Sequence, residues 1–152
     1  MVTIAGGSAL EKRLAELAKS VRKAASVRIG FIENNTYPDG TSVALVAAIN
    51  EWGQTRVHPH QPPRPYFRRM IKEKSPEWPN AISNLLVAND YDAEKVLNIV
   101  GDAIAGQLRQ SITDFVDPPL APATIAAKGS DKPLIESGLM LKSISFEVES
   151  PS

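Results

Sequence analysis

The chain has 152 residues, 43% of them hydrophobic and 6% aromatic, with 17 basic and 17 acidic side chains and no cysteine. That length and apolar content suit one domain with a largely aliphatic core and exclude a disordered tail. Zero net charge argues against a general nucleic-acid coat and a polybasic membrane binder. The absence of cysteine excludes disulfides and thiolate metal sites, and no apolar run reaches the roughly 18 residues of a membrane span.

Met1–Gly7 lacks the basic start and apolar run of a secretory leader and is expected to be a flexible beginning. Ser8 to Ala25 reads as the first helix. Ser8 and Glu11 have capping-box spacing, and Leu10, Leu14, Leu17 and Val21 recur along one face. Lys12, Arg13, Lys19, Arg22 and Lys23 crowd the rest, as a solvated face or a patch for DNA or an acidic neighbour. Val27 to Glu33 alternates as a strand, and Pro38-Asp39-Gly40 is a turn. Thr41 or Ser42 caps a second helix, which Gly53 stops. Gln61-Pro62-Pro63-Arg64-Pro65 is a stiff extended arm, and Pro65 opens a helix carrying Tyr66, Phe67, Met70 and Ile71. Ser75-Pro76 and Trp78-Pro79 break or kink that helix, and Ile82, Leu85 and Leu86 continue its apolar face.

Asp92 to about Asp114 is the longest predicted helix, with Val96, Val100, Ile104, Leu108 and Ile112 on its repeat and Asp117-Pro118-Pro119 at its end. Residues 118–138 form a long loop holding one short helix, Ala123 to Lys128. Lys142 to Glu149 alternates as a closing strand. The expected fold is a single α+β domain over residues 1–152. In it the first and last strands pair in a small antiparallel sheet against the long helix. Two strands alone are marginal in water, so a further strand or a neighbouring subunit is expected to complete the sheet.

No pattern points to an enzyme. His58-Pro59-His60 has no third ligand at metal-site spacing, no serine sits in a nucleophile elbow, and Ala127-Lys128-Gly129-Ser130 has the wrong order for a phosphate loop. Asp114 and Asp117 at a helix end suit capping better than acid–base work. Catalytic, cofactor and metal sites are therefore all expected to be none. Candidate interface residues do stand out. The proline arm presents Arg64, Tyr66 and Phe67, residue types favoured as anchors, although Tyr66 and Phe67 suit a core equally. Long structured loops tend to be functional, and this one carries Lys128 and Lys132 against Asp131 and Glu136, a mixed pattern that can set a partner's register.

Three segments, spanning roughly residues 43–148, together resemble one family. Val46-Ala47-Ala48-Ile49-Asn50-Glu51-Trp52-Gly53 is similar to a helix ending in Asn-Glu-aromatic-Gly. Pro62-Pro63-Arg64-Pro65-Tyr66-Phe67-Arg68 is similar to a Pro-x-Arg-Pro-Phe helix start. Ala121-Pro122-Ala123-Thr124-Ile125-Ala126-Ala127-Lys128-Gly129-Ser130-Asp131-Lys132-Pro133-Leu134-Ile135-Glu136-Ser137-Gly138-Leu139-Met140 is the most specific, and a Ser143-Ile144 strand follows it. The family is that of the small tail-completion and head–tail joining proteins of long-tailed phages. Glu136-Ser137 where Asp-Thr is usual, and Trp52 where Phe is frequent, leave the subtype open. The resemblance implies a virion protein, assembled in the bacterial host cytoplasm as a ring of six at the head-proximal end of the tail. Its partners would be its own copies and other tail or neck proteins, with DNA passing through without sequence-specific contact and no membrane involved. A tail terminator, a head-side adaptor and a DNA-binding accessory protein are the alternatives.

Overall fold

A computed structural model describes residues 7–24, 26–56, 60–120, 122–128 and 138–151. The elements run α1 Gly7–Val21, β1 Ser26–Gly30, α2 Val43–Trp52, α3 Tyr66–Lys74, a 3-10 turn Ser75–Glu77, α4 Trp78–Ala88, α5 Ala93–Asp114, α6 Pro122–Lys128, α7 Leu139–Lys142 and β2 Ser145–Glu149. The fold is α+β, a two-stranded antiparallel sheet packed on the longest helix.

Helix α5 organises the rest. Asp92 caps it, its carboxylate accepting the Lys95 backbone N–H at 3.2 Å. Its 22 residues span roughly 33 Å at the usual rise. Val96, Val100, Ile104, Leu108 and Ile112 are spaced by four along one buried face, and Ala93, Gly101 and Ala105 widen it. Around that stripe gather Val43 and Ala47 of α2, Tyr66 and Met70 of α3, and Met140 and Ile144 near the second strand. Polar contacts fix the angles of neighbouring elements. Trp78 Nε1 donates to Gln107 at 3.0 Å, Ser111 Oγ to the Tyr66 carbonyl at 2.8 Å, and Arg109 Nη2 to the Ile144 carbonyl at 2.8 Å.

Period-two alternation sets the sheet register. Val27 faces Val148 and Ile29 faces Phe146, so the apolar residues of both strands share a face. On the other face Arg28 meets Glu147 at 2.8 Å and Glu149 at 2.9 Å, while Ser26 donates to Glu149 at 2.8 Å. A one-residue slip would bury those charges against α5. Gly101 lets the sheet sit this close, since a Cβ there would lie 2.8 Å from Phe146 Cγ and 3.0 Å from Cε2.

Some boundaries differ from expectation. The first helix stops at Val21, not Ala25, and begins at Gly7, with Ser8 already inside it. The strand expected from Lys142 begins only at Ser145, because Leu139–Lys142 coil into α7 behind Gly138, which has a φ of 72°. No third strand joins the sheet among the described residues, so each strand keeps one unpaired edge. No helix is long and apolar enough to cross a membrane among the described residues. The expected flexible start lies almost wholly outside the described residues, as do His58 and Pro59.

Candidate functional site

Among the described residues the proline arm and the end of α2 form an extended polar arrangement. Ser42 starts α2 by accepting the Leu45 N–H, and Gly53 ends it with a φ of 75°. The chain then doubles back. Gln54 and Gln61 exchange two backbone hydrogen bonds of 2.9 Å, and the Arg64 N–H donates to the Asn50 carbonyl at 2.7 Å. A side chain at position 53 would collide with this return. Its Cβ would stand 2.7 Å from Pro63 N and 2.8 Å from the Gln61 carbonyl oxygen. The position therefore requires glycine twice over, for its φ and for its clearance.

Glu51 is the electrostatic centre. It is the only charged residue of α2 and it is buried. Its carboxylate accepts the Phe67 N–H at 2.9 Å and the Arg68 N–H at 3.2 Å, both orphan amides in the first turn of α3. Pro65 at that N-cap offers no capping side chain, so a carboxylate from another helix caps it instead. The positive end of the α3 dipole favours the same charge. Arg68 closes the arrangement, donating Nε to Glu51 at 2.7 Å and Nη2 to the Glu51 carbonyl at 3.2 Å. Its guanidinium carbon lies 3.9 Å from the centroid of the Trp52 ring. Such stacking contributes about 0.5–1 kcal/mol at exposed sites.

Beside this clasp lies a shallow, mainly apolar cleft of about 220 Å³, walled by Phe31, Ala47, Ala48, Trp52, Tyr66 and Phe67 among others. Trp52 is 64% exposed, and Leu45, two turns earlier on α2, is exposed as well. A larger groove of about 530 Å³ runs between α3 and the second half of α5. Its wall includes the Arg69–Glu73 ion pair.

The anchors expected on the arm are distributed differently. Arg64, expected to project outward, is only 7% exposed, because the arm folds back onto α2 and carries the side chain inward. Tyr66 is core, 1% exposed, with its hydroxyl donating to the Ala47 carbonyl at 3.1 Å. Burial raises its phenol well above the ordinary value of 10.0, with the Glu51 charge acting in the same direction. Phe67 is half-buried, and its ring stands over Gly30 and lines the cleft. Lys128 is the last residue of α6. Asp131, Lys132 and Glu136 lie outside the described residues. Glu51 and Arg68 were not among the expected site residues, although a lone acid inside the apolar run Val43–Trp52 was a signal for the first.

No cluster of three or more potential metal-ligating His, Cys, Asp or Glu side chains occurs among the described residues. The chain matches no protein-family model, no curated protein and no solved structure.

Proposed function

We propose that this chain is a structural protein of a tailed phage or prophage, forming a ring at the head-proximal end of the tail. One observation carries the assembly part of the reading: several large apolar side chains on α1 and α2 remain exposed in the folded chain. Helix α1 has no buried residue, yet it bears Leu10, Leu14, Leu17 and Val21 at spacings of four, three and four, with Leu10 60% exposed. That spacing is a helix-packing seam. A 15-residue helix of this kind is marginal in water by itself and gains most from a partner over its apolar stripe. Leu45 and Trp52 add a second exposed apolar site on α2. The α1 and α2 surfaces are unlike one another, which suits head-to-tail contacts, and such contacts close into rings when the rotation permits.

The phage assignment is supported by the three sequence segments described above. The motif residues Glu51, Gly53 and Arg68 also have physical work in this fold, joining α2 to α3. Six subunits, and a place at the joint between head and tail, follow from the resemblance alone.

The basic face of α1 favours a second reading, a DNA-binding accessory protein. Lys12, Lys19 and Arg22 are exposed. Of the five cations between positions 12 and 23, two are already engaged, however, Arg13 with Asp90 at 3.3 Å and Lys23 with Asp92 at 2.6 Å. Adding the purified protein to tails lacking it, followed by electron microscopy, tests the leading reading. Several copies in a closed ring at the head-proximal end are expected. A single copy or a two-fold dimer there would overturn it. Salt-dependent binding of duplex DNA by the isolated chain, without binding to tails, would favour the second reading.

A further inference from the structure

Among the described residues the buried arginine of the proline arm has no counter-charge. Among the described residues no hydrogen bond or ion pair reaches the Arg64 guanidinium, and its Nε is sealed from solvent without an acceptor. The acceptors at the end of α2 are engaged by other donors. The Asn50 carbonyl takes the Arg64 backbone N–H, Asn50 Oδ1 takes the Gln61 side-chain amide, and Glu51 takes three donors from α3. The arm cannot readily swing the side chain away. Pro63 and Pro65 restrict the backbone on both sides, and the Arg64 carbonyl accepts the Tyr66 N–H at 2.8 Å.

An arginine stays charged in protein surroundings, and desolvating it without a partner is costly. Burial alone pulls its pKa downward, with no carboxylate acting against that. The residue keeps 7% of its surface open to solvent, so it is recessed but not wholly enclosed.

We propose that Arg64 is a recessed anion site that receives a carboxylate from a neighbouring protein chain. The carboxylate would lie end-on across the two terminal nitrogens, the bidentate geometry that a planar guanidinium favours. A recessed single cation suits a side-chain carboxylate better than a nucleic-acid backbone, whose binding recruits several surface cations together. This inference stands on the geometry of the arm and is independent of the phage reading.

The test uses the full chain labelled with 15N, the Arg64 Nε–Hε signal being assigned by its loss in Arg64→Lys. Sodium acetate is the probe, followed by rising protein concentration and then by duplex DNA. The proposal expects a saturable acetate-induced shift at millimolar concentration, and a Tm for Arg64→Met that is unchanged or higher. A parallel shift with protein concentration would identify the donor as a second copy; its absence beside an acetate response would point to a different protein chain. A signal indifferent to acetate, or a marked loss of Tm in both Arg64→Met and Arg64→Lys, would overturn the proposal and make Arg64 an internal strut. A signal that moves with DNA at lower concentration than with acetate would overturn it in favour of a phosphate site.

Discussion

At the residue scale the sharpest consequences attach to Glu51. Its carboxylate caps one helix and joins another, so its removal strands two α3 amides and frees Arg68. Arg68 is about half exposed, which discounts the ion pair itself. The lost cap and charge-assisted hydrogen bonds remain, and together they set the cost of Glu51→Ala at about 2 kcal/mol. For a chain of this size that corresponds to a fall in Tm of roughly 4–8 °C, measurable by calorimetry. Glu51→Gln keeps one acceptor oxygen and should lose less. An unchanged Tm in Glu51→Ala would show that α3 starts without it. The position was partly legible beforehand, since a single acid among apolar neighbours requires compensation wherever it is buried. The identity of the compensating groups was not, because they come from backbone amides 16 and 17 residues away. The inward turn of Arg64 was illegible for a related reason. Proline spacing stiffens an arm without specifying its direction, and the direction depends on the Gln54–Gln61 return.

At the scale of elements, α5 offers a paired test. Gly101 and Gly106 share one helix, where glycine is normally worse than alanine by about 1 kcal/mol. Nothing lies within 4 Å of a Cβ built at Gly106, so Gly106→Ala should raise stability by up to about 1 kcal/mol. At position 101 the Phe146 ring occupies the space, and overpacking of about 1–3 kcal/mol outweighs the propensity gain. Gly101→Ala should therefore destabilise, with opposite signs for the two variants in the same denaturant titration. The residues just after α1 are tied to the N-cap of α5 by the Lys23–Asp92 ion pair, beside the Arg13–Asp90 contact from α1 itself. A hydrogen bond from Lys23 is the first cause keeping the Asp92 carboxyl below its ordinary 3.8, and the same bond holds the Lys23 ammonium above 10.5. The clasp is therefore at full strength from about 3.8 to 10.5, weakening as pH falls through the lowered Asp92 value or rises through the raised Lys23 value. Hydrogen exchange of α1, corrected for intrinsic rate, should show protection at pH 7 that falls at pH 3; equal protection would mean that other contacts hold α1. Most elements were readable from periodicity and caps, α5 and both strands above all. Helix α7 was not, because four residues are too few to show a helical repeat and Leu139–Lys142 merges into the alternation of the strand that follows.

For the whole molecule, exposure separates folding from assembly. Leu10 and Leu14 are largely exposed in the isolated fold, so Leu10→Ser with Leu14→Ser should change its stability little, with Tm within about 2–4 °C of the parent. Under the proposed tail-assembly role the same double variant should be incorporated poorly into tails, and normal incorporation would rule out α1 as a contact surface. The α+β class and the pairing of the terminal strands were legible in the sequence, because two matched alternating segments and one long amphipathic helix leave few ways to bury both. What covers α1 was not, because an apolar stripe records the need for a neighbour without identifying it. The strand pairing also bears on how the protein is made. Ser26 and Glu149, bonded across the sheet, are separated by 123 positions in the chain. Closing so long a loop adds little thermodynamic cost, since each doubling of length costs only about 0.6 kcal/mol, but non-local pairing slows folding. During synthesis α2 to α5 can gather locally while β1 waits, because its partner strand leaves the ribosome late. The sheet thus records the progress of translation: a nascent chain that has not yet released Ser145–Glu149 cannot close β1 against its partner over α5.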